Sequence, residues 1–312
     1  MTSRVLLTGA GGFIGGHLLQ ALNAAGFEVR ALSRHNVPAA AESLQWPTAA
    51  APTNAQLDDY CAGVAHCFHV AGIAHDAARG DSSGGAKLRS FNVDRSVRLY
   101  QAAIRNGCES FVWLSSSKVL GDQSSAPLPV QAPYAPVGGY AQSKVEAEQA
   151  LLAVAVPETR LLILRPPLVY GPGVGANFRR LLGAALGRWP LPLASARAQR
   201  SFVGVNNLCD ALLAATQAPP GIYHVADAQP ASVAQLLTDI ARCADRRLRL
   251  LPFPPALARW LLAVLGQSGT YERLFTSFLL ETRDSEQRLN WSPVRTRDVQ
   301  LADTVSWFLQ QR

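Results

Sequence analysis

The sequence predicts an α/β fold built on a doubly wound parallel sheet, and three observations carry that prediction. Short aliphatic runs at 4–7, 27–32, 64–70 and 111–114 are typical of buried strands. Segments with apolar residues three and four positions apart separate these runs, as amphipathic helices do. A glycine-rich turn joins the first run to the first helix. Alternating strands and helices form a parallel sheet whose ligands bind at the carboxyl ends of the strands.

The glycine-rich turn has the spacing of a dinucleotide-binding site. Gly9 permits a tight turn, Gly12 lets a pyrophosphate approach the backbone, and Gly15 lets helix and strand pack closely. The helix that begins near Phe13 and Ile14 would hold the phosphates through its free amides and its dipole. The turn therefore predicts a Rossmann-type sheet with a nucleotide cofactor. The alternative is a glycine-rich turn without a ligand.

The end of the second strand bears on which cofactor binds. Folds that prefer NAD usually place an acidic residue there, where it bonds the ribose hydroxyls. This chain has Ser33 and Arg34 instead, and an arginine suits the 2′-phosphate of NADP. The sequence thus slightly favours NADP over NAD, although an exposed loop arginine needs no ligand.

Composition limits the class of protein. With 312 residues, 48% of them hydrophobic and 16% charged, the chain suits one large globular domain or two that share a core. Its net charge of +7 comes from scattered Lys and Arg, which argues against nucleic acid and fits a small polyanion or merely a basic surface. The five cysteines have no C-x-x-C spacing, so we expect reduced thiols and no metal site.

Membrane and export signals are weak in this sequence. The N-terminus enters the first strand at once and has no signal-peptide pattern. The apolar run 256–265 is shorter than the ~20 residues that span a bilayer. We interpret it as a helix with Trp260, Leu261, Leu262 and Leu265 in a core. The expected protein is cytoplasmic, without a membrane span.

Tyr140 and Lys144 are four residues apart and would share one face of a helix. A nearby ammonium favours the ionised form of a phenol, so the pair predicts a tyrosine whose pKa is lowered towards neutrality. Such a tyrosine would serve as a proton shuttle. A solvated helix face gives the same spacing, so the pair gains weight only from its neighbours. His69, at the end of the third strand, is better interpreted as a structural histidine than as a catalytic one.

The remaining segments indicate how the chain divides into domains. Residues 76–85 are rich in Gly and Ser and predict a loop, whereas 91–106 predict a long amphipathic helix. Beyond 171 the alternation ends, and a run at 221–226 predicts a strand that returns to the main sheet. We therefore expect a dinucleotide-binding domain over 1–170, to which 201–226 returns. A smaller, interleaved C-terminal substrate-binding lobe would occupy most of 171–312.

Seven short motifs share one order along the chain: Thr8–Gly15, His69–Gly72, Asn92–Val93, Ser115–Gly121, Tyr140–Lys144, Arg165–Pro172 and Arg200–Val203. Together they resemble the extended short-chain dehydrogenase/reductases, or NAD-dependent epimerase/dehydratase family, and they cover nearly the whole chain. A narrower likeness rests on residues 115–119, 167–174, 176–178 and 191–193. It is to bacterial 4-epimerases and 4-keto reductases of UDP-linked N-acetylated sugars in polysaccharide (O-antigen) biosynthesis.

The resemblance implies a role for each matching residue. Tyr140 would be the general acid/base, Lys144 its electrostatic partner and a ligand of the nicotinamide ribose, and Ser116 the group that holds the substrate oxygen. Besides the glycine turn, Ser33 and Arg34, the implied cofactor contacts are Ala71, Gly72, Asn92 and Pro167. The implied substrate contacts are Ser116, Ser117, Lys118, Asn177, Arg200 and Arg273, with the last three at the UDP moiety.

The resemblance also implies hydride transfer between a sugar carbon and nicotinamide. Sugar dehydratases carry an Asp-Glu pair where this chain has Ser117 and Lys118, so dehydration is not expected. The missing acid at Ser33 gives a 4-keto reductase a small advantage over a 4-epimerase. A homodimer through the helices that follow Phe91 and Tyr140 is implied as well. Two alternatives stay open: a reductase of a steroid-like or phenolic carbonyl, and a non-catalytic dinucleotide-sensing protein.

Overall fold

The computed structural model describes residues 3–47, 51–73, 82–264, 266 and 268–311. Its strands are β1 (Arg4–Thr8), β2 (Glu28–Ser33), β3 (Glu42–Gln45), β4 (His66–His69), β5 (Ser110–Leu114), β6 (Arg160–Arg165), β7 (Leu168–Tyr170), β8 (Gln199–Arg200), β9 (Phe202–Gly204), β10 (Gly221–His224) and β11 (Ala231–Ser232). Its helices are α1 (Phe13–Ala24), α2 (Asn54–Cys61), α3 (Ser82–Arg89), α4 (Arg95–Arg105), α5 (Gly139–Ala153), α6 (Ala176–Ala185), α7 (Val205–Ala215), α8 (Val233–Cys243), α9 (Pro255–Val264), α10 (Ser268–Phe275), α11 (Arg283–Leu289) and α12 (Arg297–Gln310). A π-helical turn (Ser90–Asp94) joins α3 to α4, and a 3-10 turn (Ser117–Leu120) follows β5.

The main sheet has seven parallel strands in the order β10-β6-β5-β4-β1-β2-β3. The strand order reverses between β1 and β4, because the chain runs outward from β1 to β3 and then continues on the other side. Such a switch point opens a crevice at the carboxyl ends of the strands. The predicted doubly wound parallel sheet is therefore confirmed.

Both faces of the sheet are covered by helices, which explains why its strands read as continuous apolar runs. Val5 and Leu7 of β1 pack on one face with residues of α1 and α7. Leu6 points to the other face and packs with residues of α4 and α5. This arrangement buries the sheet and leaves the carboxyl edge for a ligand.

A second core lies in the C-terminal half of the chain. Tyr170 and Phe178 stack with ring centroids 5.4 Å apart and join apolar residues of α6, α8 and α12. Two short ribbons flank this cluster, β7 with β9 in parallel and β8 with β11 antiparallel. The segment after β9 returns to the main sheet, where β10 pairs with β6.

Four segments differ from the sequence-based expectation. The polar strand β3 and the short helix α2, which is capped by Thr53, have no strong apolar pattern and were not predicted. Residues 82–85 of the predicted loop belong to α3, whereas 76–81 lie outside the described residues. The predicted helix over 91–106 is regular only from Arg95, because the preceding turn is π-helical.

Helix α9 also differs, because its apolar side chains do not form a core. Trp260 is 60% exposed and Leu261 38%, and only Ala258 of this helix is buried. Leu265 lies outside the described residues. Across the ranges that the structure describes, no helix combines the length and apolar character needed to cross a bilayer.

Candidate active site

Tyr140 and Lys144 lie in the first two turns of α5, at the carboxyl edge of the sheet. The helix begins after Gly138, whose φ of +85° is a conformation that suits glycine. Tyr140 is partly buried and Lys144 is only 4% exposed. Their i, i+4 spacing places them on one face of the helix.

Ser116 follows β5 directly and meets Tyr140. Its hydroxyl accepts a hydrogen bond from the Lys118 amide at 3.3 Å and so begins the 3-10 turn. The same hydroxyl lies close enough to the Tyr140 phenol to lower the pKa of that phenol. The next residue, Ser117, is buried, and its amide donates to the carbonyl oxygen of Pro166 at 2.9 Å. This bond ties the turn to the loop that contains Pro167, which is itself buried.

The protonation state of Tyr140 differs from the expectation. Burial raises the pKa of Tyr140 to about 12, and the nearby Ser116 hydroxyl opposes the rise. Burial also lowers the pKa of Lys144 to about 8, and Glu148 opposes this second shift. The predicted lowering of the tyrosine pKa was therefore wrong, because spacing alone does not count the cost of desolvating a phenolate.

The Lys144 ammonium is held among groups at the ends of β4 and β5. Its Nζ donates to the Leu114 carbonyl at 2.8 Å and lies 4.3 Å from the centroid of the Trp113 ring. A Cβ placed on Gly72 would lie 3.5 Å from both this Nζ and Oδ1 of Asn92. The lack of a side chain at residue 72 therefore keeps space beside Lys144.

Asn92 lies in the π-helical turn, and both polar atoms of its side chain form hydrogen bonds. Its Nδ2 donates to the Ser143 hydroxyl and to the Ile73 carbonyl, both at 3.0 Å, while its Oδ1 accepts from the Ile73 amide at 3.0 Å. The side chain therefore pins the loop after β4 to α5. Because its polar atoms are already bonded within the chain, Asn92 shapes the crevice at the carboxyl ends of the strands.

The glycine turn has the close contacts that its spacing predicts. Gly9 has a φ of +78°, and a Cβ there would lie 2.9 Å from the Ala71 amide nitrogen. A Cβ on Gly15 would lie 2.0 Å from the Gly9 carbonyl oxygen, which no side chain tolerates. Gly12 begins α1, and no side chain caps that end. The turn therefore fits a dinucleotide phosphate, which the first-turn amides would bind.

Phe13 and Ile14 contribute backbone to this turn, while their side chains pack inward. Both contact the core cluster beside the sheet. The Phe13 ring lies against the loop after β7, because a Cβ at Gly173 would come within 3.5 Å of it. Contact with a cofactor at these two positions would therefore be through amide groups.

Ser33 and Arg34 occupy different environments at the end of β2. Ser33 is buried, and its hydroxyl lies 2.6 Å from where a Cβ on Gly11 would be. Arg34 is exposed and has no hydrogen-bond or ion-pair partner among the residues described. Its guanidinium is thus free to meet an anion at the edge of the crevice.

A buried ion pair lies behind the serine turn, the segment 115–120 that follows β5. The guanidinium of Arg165 donates to Glu148 at 2.5 Å, and the side chains are 2% and 0% exposed. Tyr134 and Ser115 also donate to this carboxylate, and Arg165 donates to the Val130 carbonyl at 2.9 Å. Glu148 is four residues after Lys144, so it lies on the same face of α5 and next to the serine turn.

The residues expected to bind the substrate are spread over several segments, and two of them bond to other groups of the chain. Lys118 pairs with Asp122, with Nζ and Oδ1 3.0 Å apart. The Arg200 guanidinium donates to the Thr276 carbonyl at 2.8 Å and the Asp122 carbonyl at 3.1 Å. Burial lowers the pKa of Arg200, Asp122 raises it and the positive charge of Arg273 lowers it again. Asn177 is exposed at the start of α6.

His69 is a structural residue, as its position suggested. Its Nδ1 lies 2.6 Å from the Thr8 hydroxyl and its Nε2 2.9 Å from the Ser96 hydroxyl. Burial lowers the pKa of His69 to about 3, and Lys144 adds to the shift. The neutral ring therefore joins β1, β4 and α4.

Sequence reasoning missed the groups that support this site. Glu148, Tyr134 and Trp113 carry no motif of their own, and Arg165 drew attention only as part of a longer match. One signal was present for Glu148: an acid four residues after Lys144 shares its helix face. No signal in the local sequence pairs Glu148 with Arg165, because they meet only through the fold.

Comparison with known proteins agrees with this geometry. Residues 5–226 match the model of the family described as "NAD dependent epimerase/dehydratase family". A UDP-glucose 4-epimerase from Vibrio cholerae is 28% identical, with 99% of this chain and 97% of that protein covered. A 3 beta-hydroxysteroid dehydrogenase/Delta 5-->4-isomerase from Mycobacterium tuberculosis is 27% identical, with 98% and 90% covered.

Solved structures share the whole fold. The structure described as "MoeE5 in complex with UDP-glucose and NAD" superposes with a TM-score of 0.77 at 23% identity, covering 99% of both chains. That identity is evidence for the fold alone. The family match spans most of the chain and includes the glycine turn, the serine turn and the Tyr140–Lys144 pair. The chain belongs to the NAD-dependent epimerase/dehydratase family, the extended short-chain dehydrogenase/reductases.

Proposed function

We propose that the protein interconverts a hydroxyl and a ketone at C4 of a UDP-linked sugar, as a nicotinamide-dependent 4-epimerase. The observation that carries the proposal is the meeting of three groups: the Ser116 hydroxyl acts on the Tyr140 phenol, and the buried Lys144 lies one helical turn further along the same helix. The Vibrio cholerae relative is a UDP-glucose 4-epimerase, and the two sequences align over nearly their whole lengths. This relative supports the choice of substrate and reaction.

Three residues of the chain would perform the proton chemistry. Ser116 would bond the sugar O4 and orient it towards the Tyr140 phenol. Tyr140 would take the hydroxyl proton as C4 is oxidised and return it as C4 is reduced. The Lys144 ammonium would stabilise the phenolate, because an opposite charge nearby favours the ionised form. A bound nicotinamide nucleotide would supply the hydride acceptor and donor.

The surrounding residues would hold that nucleotide. The amides at the start of α1, including those of Phe13 and Ile14, would bind its pyrophosphate, with Gly9, Gly12 and Gly15 allowing the approach. Lys144 would reach the nicotinamide ribose. The remaining proposed contacts line the carboxyl edge of the sheet; they are Ala71, Gly72 and Pro167, whereas Asn92, expected from the sequence to contact the cofactor, would shape this edge through its bonds to Ile73 and Ser143.

Two arginines would bind the diphosphate of the substrate. The positive charge of Arg273 acts on Arg200, and two guanidiniums suit a group with several anionic oxygens. Asn177 would add a polar contact from α6, and Ser117 and Lys118 would border the sugar. An N-acetylated sugar is the proposed substrate within this class, in line with the narrower sequence likeness.

A 4-keto reductase is the second candidate, and two observations favour it. Arg34 is exposed without a partner among the described residues, which suits the 2′-phosphate of NADPH. The raised pKa keeps Tyr140 protonated at neutral pH, the state that donates a proton to a ketone. Reduction of a steroid-like or phenolic carbonyl would use the same three residues but would leave the arginine pair without a role.

One incubation series separates these reactions. The protein is mixed with UDP-glucose, UDP-N-acetylglucosamine or a UDP-4-keto-6-deoxy sugar, each with and without NADPH. An epimerase converts a hexose without net consumption of nucleotide. A reductase consumes NADPH with the keto sugar, which the absorbance of the reduced nicotinamide reports. Turnover of apolar ketones without any change in the UDP-sugars would contradict the proposal.

Arg34 provides a specific prediction about the cofactor. If NADP is the natural cofactor, Arg34→Ala is expected to weaken its binding by about 10- to 100-fold, since a charge-assisted hydrogen bond is worth about 1.5–3 kcal/mol. NAD binding should not change. Titration of each nucleotide by calorimetry measures both constants. Arg247→Ala, at another exposed arginine, is the control, and equal losses for NADP and NAD would contradict the assignment.

A further inference from the structure

Helix α9 presents its apolar stripe to solvent, opposite to the usual arrangement. Leu257, Trp260, Leu261 and Val264 are spaced as i, i+3, i+4 and i+7 and therefore lie along one face. All four are exposed, and Val264 reaches 67%. A surface helix normally turns such a stripe towards the core, whereas α9 rests on the protein through Ala258.

Two other exposed apolar residues belong to the neighbouring strand-like segments. Trp189 is 83% exposed and Leu251 49%. The backbones of these segments are joined, because Leu191 donates its amide to Arg249 at 2.9 Å and accepts from Leu251 at 2.8 Å. Leu251 is four residues before the start of α9. Exposed apolar side chains therefore also occur on the segment that leads into α9 and on the segment bonded to it.

The two stretches of chain that contain Trp189 and α9 carry positively charged side chains but no negatively charged ones. No Asp or Glu occurs from 159 to 209, a stretch with seven arginines, or from 246 to 271, a stretch with four. Arg188, Arg247, Arg249 and Arg259 are exposed, and none has an ion-pair partner among the described residues. Exposed tryptophans and aliphatic side chains therefore share their segments with unpaired arginines and no acids.

We infer that the exposed apolar stripe of α9, with Trp189 and Leu251 on the adjoining segments, binds the surface of an anionic lipid bilayer. Interfacial helices place Trp and Leu side chains at the boundary between headgroups and acyl chains, while Arg side chains attract anionic lipids. The α9 helix has only ten residues, so it lies on the membrane and does not cross it. The absence of acids favours lipid phosphates over a protein partner, whose surface would carry both signs of charge.

Vesicle sedimentation tests the inference without substrate or cofactor. The full chain is mixed with vesicles of phosphatidylcholine alone, or of phosphatidylcholine and phosphatidylglycerol in equal parts. We expect binding to the mixed vesicles that weakens as salt rises, because salt screens the charges. Binding that is equal for both vesicle types, or absent from both, would overturn the inference.

A pair of variants locates the surface. Trp260→Ser combined with Val264→Ser is expected to reduce binding by at least about tenfold, since both side chains lose apolar area that the bilayer would cover. Val294→Ser combined with Val299→Ser, at exposed valines elsewhere, is the matched control and should bind as the parent does. Circular dichroism checks the fold of both. Equal binding by all three proteins would overturn the assignment to α9.

A second copy of the chain is the competing occupant of this face. The molar mass of the protein in solution, measured without lipid, distinguishes self-association from lipid binding. An oligomer that the α9 double variant dissociates, together with no vesicle binding, would assign the face to self-association and overturn the lipid inference. An unchanged mass in that variant, with lost vesicle binding, is the expected result.

Discussion

Tyr140→Phe is expected to lower turnover by about 10²–10⁴-fold, the range contributed by a positioned acid or base. The variant removes only the hydroxyl that meets Ser116, so the ring still fills its partly buried place at the start of α5. Cofactor binding should stay nearly intact, because the glycine turn lies on another element. Steady-state rates and nucleotide titrations measure the two effects separately.

Tyr134→Phe is the matched control for that experiment. Tyr134 also carries a partly buried phenol near α5, but its hydroxyl donates to Glu148 at 2.8 Å and does not face Ser116. Its removal should cost stability of the order of one hydrogen bond, about 1 kcal/mol, and little turnover. Turnover that is unchanged in Tyr140→Phe, or equally reduced in the control, would contradict the role of Tyr140.

Glu148→Gln is expected to lower the free energy of unfolding by about 3–5 kcal/mol. The substitution leaves the Arg165 guanidinium, only 2% exposed, without a counter-charge in the interior. Ser115 and Tyr134 lose a charged acceptor at the same time. Denaturant titration measures the loss if the transition remains cooperative.

Glu146→Gln on the same helix gives the control for that loss. Glu146 pairs with Arg89 at 3.0 Å, but the two side chains are 31% and 63% exposed. An exposed pair of this kind contributes about 1 kcal/mol or less. Similar losses in the free energy of unfolding for Glu148→Gln and Glu146→Gln would contradict the claim that burial makes the Glu148–Arg165 pair important for stability.

Glu148 also acts on Lys144. Glu148 raises the pKa of Lys144, opposing the larger lowering caused by burial. Because a lowered pKa means that folding disfavours the charged amine, stability should rise with pH between about 8 and the pKa of the unfolded lysine. Glu148→Gln should lower the lysine pKa further, which shifts the pH profile of turnover to lower pH.

Much of the fold follows from the sequence because buried parallel strands are continuous apolar runs. The runs that contain Val5, Phe68 and Val112 identified three central strands, and the glycines at 9, 12 and 15 fixed the first turn. Strand β3 has the sequence ESLQ and is only partly buried, so no apolar pattern marks it. Its place at the sheet edge depends on pairing with β2.

Helical spacing predicted the placing of Tyr140 and Lys144 but not their electrostatics. Spacing correctly placed Tyr140 and Lys144 on one helix face, whereas the pKa of Tyr140 depends on burial that spacing does not reveal. The exposure of Trp260 was missed for a related reason: periodicity identifies an apolar face without saying what covers it. The Glu148–Arg165 pair joins α5 to β6 through tertiary packing alone.

The most direct test follows deuterium placed at C4 of the UDP-sugar that turns over in the incubation series. Our account predicts that the 4-epimer retains deuterium at C4, because hydride leaves and returns at that carbon, and that Tyr140→Phe forms almost none of this product. Nuclear magnetic resonance of the product reports both the label and the configuration. Replacement of the C4 deuterium by solvent hydrogen would contradict hydride transfer, as would a full rate in the variant.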